Sequence, residues 1–274
     1  IADAISITTM GEHCAAIATD RGGGIISATN SSLNTTGSGS PLLYSTGNIQ
    51  VDHVTGTASN SQIAGMEGRN TILIFNSDLK STLEGKTASD PVANGFIIYQ
   101  STSGDAEAAT GEAAKFQAVN SQLTSAITSG AMFYVTNTTA DILLSGSVLD
   151  FDSKEAKLLR IEGNNANNWG TAGANGGKVK FTARKETLTG DISVDTISSL
   201  DLYLLDGTTY MGTIALKEAE DDAEKMEDNI SVSIGSDSKW IVTANSTIAN
   251  LSMEEGAAIE DPNGNAVTVM KNGE

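Results

Sequence analysis

Apolar residues recur along this chain in pairs two positions apart, each followed by a small polar turn and one further apolar residue. Residues 26–33 show the pattern with Ile26, Ala28 and Leu33, and it returns at 72–79 with Ile72, Ile74 and Leu79. Residues 116–123 repeat it with Phe116, Ala118 and Leu123, and 142–149 carry a weaker copy. Ile49 and Val51 supply the pair between the first two copies, so Ile26, Ile49 and Ile72 lie 23 residues apart. Later pairs are Val179 with Phe181, Leu200 with Leu202, and Trp240 with Val242. A second apolar segment precedes each main pair: Leu42-Leu43, Ile63-Ala64, 96–98, 133–135, Leu158-Leu159, 192–194 and 230–232. Short alternating segments separated by Gly, Asn, Ser and Thr turns read as strands, and helical periodicity is nearly absent. Within a strand Ile72 faces inward and Leu73 outward.

A fixed period of 22 to 23 residues is the signature of stacked repeats. A sandwich also has short strands but no reason to repeat at that interval, and a leucine-rich repeat would need a Leu-rich consensus. The pattern predicts an all-β, single-stranded right-handed parallel β-helix of about eight turns with polar loop insertions. At ~4.8 Å per turn the stack is a rod of about 40 Å plus its ends. The insertions fall near 80–94, 101–115, 163–177 and 217–228, and removing 163–177 from the interval between Ile142 and Val179 restores the period. The whole chain, 1–274, reads as one domain. Its open end needs a cap, and 256–274 is a candidate capping hairpin built around Asp261-Pro262-Asn263-Gly264. Asn30, Asn76 and Asn120 are candidates for a corner ladder, because Asn tolerates the left-handed conformation. Trp240 is expected on the inward column of Ile72.

Composition agrees with tight corners. Ser, Thr and Asn number 79 of the 274 residues, with 28 Gly and 3 Pro. Acids outnumber bases 34 to 16, for a formal charge of −18, which repels phosphate backbones and anionic lipid and excludes nucleic acid as a partner. Apolar runs as short as 72–75 give no membrane-spanning helix and no membrane insertion. A first residue that is Ile1 rather than Met suggests a processed or trimmed chain. The single cysteine, Cys14, excludes an internal disulfide and is expected to pack as a small buried hydrophobe. Neighbouring His13 cannot serve it within a strand, where the two point to opposite faces.

The run 39–49, with Gly39, Pro41, Tyr44 and Gly47, together with Glu67-Gly68-Arg69-Asn70 and 133–138, resembles adhesin-like β-helix surface proteins of gut bacteria. Their architecture is similar to the pectate-lyase-like superfamily. The resemblance covers roughly 12–215. It implies an extracellular or cell-surface bacterial protein, with a glycan or a host surface protein as partner, and it carries over no catalytic residue.

Candidate chemistry is sparse. A lyase-like patch would combine Arg160 with Asp150, Asp152, Glu155 and Glu162, although 150–155 also reads as a solvated turn. Neither His13 nor His53 sits in a Gly-His-Gly segment of the polygalacturonase kind, and the pair Asp221-Asp222 lies in a charge run. Two carboxylates brought together from distant turns would be a glycosidase alternative. Asp261-x-Asn263-x-Asn265 resembles the start of a calcium loop, but its Gly is misplaced, so a turn is the simpler reading. No Cys/His cluster and no nucleotide-binding fingerprint is present, so no metal, cofactor or catalytic residue is assigned. The most suggestive segment is 163–171, where Trp169 flanked by Asn165, Asn167 and Asn168 offers a stacking face with hydroxyl-binding amides. The expected activity is therefore non-enzymatic. A rigid β-helix presents binding loops, with a carbohydrate-binding module or a β-helix polysaccharide lyase or hydrolase as the alternative.

Overall fold

The computed structural model describes residues 1–19, 23–103, 106, 112–219 and 225–268. Their regular structure consists of strands, with no helix, arranged in long parallel sheets. The chain visits the sheets in rotation, and each strand pairs with its counterpart one circuit earlier and one circuit later. The first sheet has ten strands, from Ala2–Asp3 through Thr71–Phe75 and Thr139–Ser145 to Asn250–Met253. A second sheet runs from Ser6–Thr9 to Val148–Asp150, and a third of eight strands runs from Ile17–Ala18 to Ile214–Lys217. A fourth, from Thr187–Thr189 to Ala258–Glu260, takes the second sheet's place in the later circuits.

Identical faces stack because the register is in phase. Ile26, Ile49, Ile72, Phe116, Ile142, Phe181, Leu202 and Val232 form one inward column of the first sheet. Leu33, Leu79, Leu123 and Leu149 line up in the second sheet with Gly56 among them. Midway along the stack Phe96 and Phe133 lie nearly parallel, with centroids 5.1 Å apart. Phe116 and Phe181 meet them edge-on from the first sheet, at 4.8 and 6.0 Å. Ile72 is buried and Leu73 partly exposed, as the alternation requires.

The corner between the first and second sheets is short and left-handed. Asn30, Asn76 and Asn120 all have φ near 50°, and His53 and Lys185 fill the same place in other circuits. Two of these asparagines reach a carboxylate on the preceding circuit. Asn76 Nδ2 donates to Asp52 Oδ1 at 2.8 Å, and Asn30 Nδ2 to Asp3 Oδ1 at 2.9 Å. The next residue builds a hydroxyl ladder: the N–H of Val54 donates to Ser77 Oγ, that of Ser77 to Ser121 Oγ, and that of Ser121 to Ser147 Oγ. The ladder continues through Glu186 Oε1, Thr208 Oγ1 and Ser238 Oγ.

Four placements differ from the sequence reading. Trp240 is buried as expected, but it pairs with Tyr210 and Ile259 in the fourth sheet, and Val232 takes the place on the Ile72 column. Ile142 lies opposite Phe181 rather than Val179, which pairs with Ala140. Residues 230–232 belong to the first sheet, not the third. In all three cases a change of turn length shifted the register without breaking the apolar alternation. Cys14 is exposed, not buried. It follows a turn at 11–13 rather than sitting in a strand, so no inward face claims its side chain, and its Sγ lies 3.3 Å from the Glu12 carbonyl.

Candidate binding cleft

The insertions leave the stack beside the third sheet. Residues 80–94 lie ahead of Asn94–Tyr99, although Lys80 and Ser81 still belong to the strand Asp78–Ser81. The other three connect a third-sheet strand to the next first-sheet strand. Ala114 and Lys115 already belong to Ala114–Val119, and Lys217 closes Ile214–Lys217. Parts of 101–115 and 217–228, including Asp221 and Asp222, lie outside the described residues.

These loops bury the outer face of a sheet whose inner face is already core. Ala64–Glu67 and Ala131–Thr136 are consequently buried at every position, which erases the usual alternation. Side chains on the outer face form two columns. Tyr44, Gly65, Ile97, Tyr134, Arg160 and Ser193 make one. In the other, Tyr99 follows Glu67, and Lys217 follows Asp195.

At the early circuits Glu67 is 2% exposed and accepts from Tyr44 Oη at 2.7 Å, from Tyr99 Oη, and from Ser101 and Ser103. Burial, with Tyr44 and Glu67 alongside, raises the Tyr99 phenol far above its ordinary range. Trp169 stacks on Tyr99 with centroids 4.3 Å apart, so one face of its indole covers the sheet.

At the later circuits a cleft of about 160 Å³ opens between the sheet and the loops. Tyr134, Arg160, Glu162, Asp195 and Lys217 form its floor, and Pro91, Asn164 and Glu218 come from three different insertions. Arg160 Nη2 lies 2.7 Å from Glu162 Oε2, while Ser193 Oγ and Lys217 Nζ lie 2.9 and 3.3 Å from Oε1. The Arg160 guanidinium sits 6.0 Å above the Tyr134 ring. Burial pushes the Tyr134 phenol up to about 12. Asp195 is raised, chiefly by burial, although its oxygens accept from the Gly163 N–H at 2.7 Å and the Ile197 N–H at 3.3 Å.

The four residues singled out from sequence lie around this cleft in different roles. Asn165 lines it, and its Oδ1 accepts from Asn175 Nδ2 at 3.1 Å. Asn167 Nδ2 donates to the Ser89 carbonyl at 2.9 Å, tying two insertions together. The Asn168 carbonyl accepts from Thr102 Oγ1, and Asn168 is left-handed at φ 54°. Trp169 faces Tyr99 rather than the cleft. Of the lyase-like patch only Arg160 and Glu162 meet: Asp150 ends a second-sheet strand, and Asp152 accepts from the Lys154 N–H in a turn. Asp261 likewise closes its own turn, accepting from the backbone of Asn263 and Asn265, and Glu260 bridges antiparallel to Ala266. Residues 269–274 of the capping candidate lie outside the described residues.

No protein-family model, curated protein or solved structure matches this chain. The cleft must therefore be read from its own chemistry. Sequence reasoning missed Tyr134, Asn175, Asp195 and Lys217 as partners. Tyr134 repeats the offset of Arg160 in the third-sheet segments and Lys217 that of Asp195, but long insertions between those segments hid both columns, and Asn175 lies in the 163–177 loop itself.

Proposed function

We propose that this chain is a non-enzymatic, adhesin-like protein of the bacterial surface or secreted fraction. In this reading the stack is a single-stranded right-handed parallel β-helix of about eight turns, and its insertions form a recognition site for glycans. The strand order, in which each sheet gains one strand per circuit, supports the coil. One observation carries the function: insertions far apart in sequence converge on one cleft and are tied to one another beside it. Asn167 reaches Ser89, Thr102 reaches Asn168, and Trp169 covers Tyr99. Loops held this way lose little entropy when they bind, which favours recognition.

The engagement of the carboxylates supports binding over catalysis. Both Glu162 oxygens are held by cations and a hydroxyl, and both Asp195 oxygens accept backbone N–H groups. Carboxylates engaged in this way favour holding a ligand over exchanging protons with it. The test is a glycan array and a mucin-coated surface, run beside an assay for released reducing or unsaturated sugar ends. Retention without cleavage is the expected result. Release of sugar ends overturns the non-enzymatic reading, and retention on neither surface overturns recognition.

A further inference from the structure

Two buried polar atoms at the cleft have no partner in the protein. Arg160 Nε is a donor and Asn175 Oδ1 an acceptor, and both residues line the same cleft. Asn175 is 1% exposed, and its orientation is fixed by its own network. Its Nδ2 donates to the Asn164 carbonyl at 2.9 Å, the Trp169 carbonyl at 3.0 Å and Asn165 Oδ1 at 3.1 Å. Turning the amide over would forfeit all three bonds, so the oxygen stays where it is. Gly163 packs closely against it: a Cβ there would lie 2.6 Å from Asn175 Oδ1 and would force the amide aside. Arg160 is equally fixed, with Nη2 on Glu162 and its plane over Tyr134. Buried groups of this kind are costly unless something satisfies them.

We propose that the cleft binds one sugar unit of a neutral glycan, whose hydroxyls accept from Arg160 and donate to Asn175. This rests on the recognition reading above and adds its ligand class and residues. A hydroxyl both donates and accepts, so a polyol answers an orphan donor and an orphan acceptor together. A ligand that offers carboxylate oxygens alone leaves Asn175 Oδ1 unsatisfied. An acidic sugar would also meet Glu162 and Asp195 on a chain of charge −18. The cleft volume of about 160 Å³ exceeds the ~10–15 Å³ that one water requires and leaves room for a ring. Lys217, 46% exposed at its side chain and 3.3 Å from Glu162, supplies a further donor at the mouth.

The experiment screens neutral gluco-, galacto-, manno- and xylo-oligosaccharides against oligogalacturonate, then titrates the best neutral binder by calorimetry into four proteins. These are the unaltered chain, Gly163→Ala, Lys217→Ala and Trp169→Ala, each checked for an intact melting transition. Gly163→Ala, by displacing the Asn175 acceptor, and Lys217→Ala, by removing a charged donor, should each weaken binding about tenfold, the loss of one hydrogen bond. Trp169→Ala should change it less than about threefold. Lys217→Ala, on an exposed side chain, keeps the test alive if Gly163→Ala does not fold. Binding that vanishes with Trp169→Ala and survives both cleft changes overturns the cleft while leaving glycan recognition in place. A preference for oligogalacturonate overturns the neutral class. Retention of none of the saccharides overturns recognition itself, with water alone filling the cleft.

Discussion

The stack has two very different corners. Between the first and second sheets the early circuits turn through only two residues, such as Asn30-Ser31, Asn76-Ser77 and Asn120-Ser121. A left-handed residue and a hydroxyl that caps a neighbouring backbone N–H make that turn. Between the third and first sheets the connection is sometimes as short as Thr46-Gly47 and sometimes as long as 162–177. The first corner has no slack. Each hydroxyl bonds to the circuit beside it, so an inserted residue would break two circuits at once. The second corner leaves its backbone free to extend, and long surface loops cost little closure entropy. One corner therefore holds register while the other accumulates most of the loops that build the cleft, with 80–94 joining them from between the second and third sheets.

If the tight corner holds register, the two faces of one strand should respond very differently to the same charge. Ile72 is 1% exposed on the inward column, so Ile72→Asp buries an unpaired carboxylate. We expect a loss of about 4 kcal/mol or more, or failure to fold. Leu73→Asp, on the outward face, should cost about 1 kcal/mol or less. Thermal melts followed by circular dichroism compare them, and similar losses would break the register.

The tight corner has one fault. Between the strands Val148–Asp150 and Thr187–Thr189 the second sheet ends and the fourth begins, and the hydroxyl ladder there is completed by a longer side chain. Glu186 Oε1 accepts from the Ser147 N–H at 2.8 Å, while Oε2 is buried without a partner. Burial raises this carboxyl to about 7 from an ordinary value near 4.5, so the folded chain favours the protonated form. The stability this gives is complete below pH 4.5 and is lost as pH rises through 7. Unfolding free energies from urea titrations should therefore fall between pH 5 and 8, by up to about 3 kcal/mol for a shift of this size. Glu186→Gln should flatten that part of the profile and be the more stable form at pH 8. A parallel decline in both proteins would remove Glu186 as its source.

Legibility followed the same division. The inward columns and the Asn corner were readable from residues 26–123, because tight corners preserve spacing and the apolar pairs repeat without drift. Reading failed where spacing changed. Trp240 was assigned to the wrong column because the fourth sheet turns through 235–238 instead of two residues. The cleft was half legible: Arg160, Glu162 and the 163–177 loop drew attention, but Asp195 and Lys217 join them only through strand pairing across insertions. Cys14 misled because composition speaks to an average environment, and a turn near the first circuits is not one.

The smallest expected effect separates the two corners most directly, because it removes one hydroxyl from each. Ser77 Oγ accepts from the Val54 N–H at 3.0 Å and donates to the Phe75 carbonyl at 2.6 Å, inside a corner with no room for solvent. Ser77→Ala strands the Val54 donor, an unsatisfied buried group costing about 1–3 kcal/mol. Thr102 Oγ1 also makes an inter-circuit bond, to the Asn168 carbonyl at 3.3 Å, but it is exposed and water can replace its partner. Thr102→Ala should stay within about 0.5 kcal/mol. Hydrogen exchange locates the difference: Ser77→Ala should speed exchange at Val54 and its neighbours in adjacent circuits, whereas Thr102→Ala should affect only its own loop. Equal losses, or exchange that spreads from Thr102 into the sheets, would mean that the looped corner holds register as firmly as the tight one.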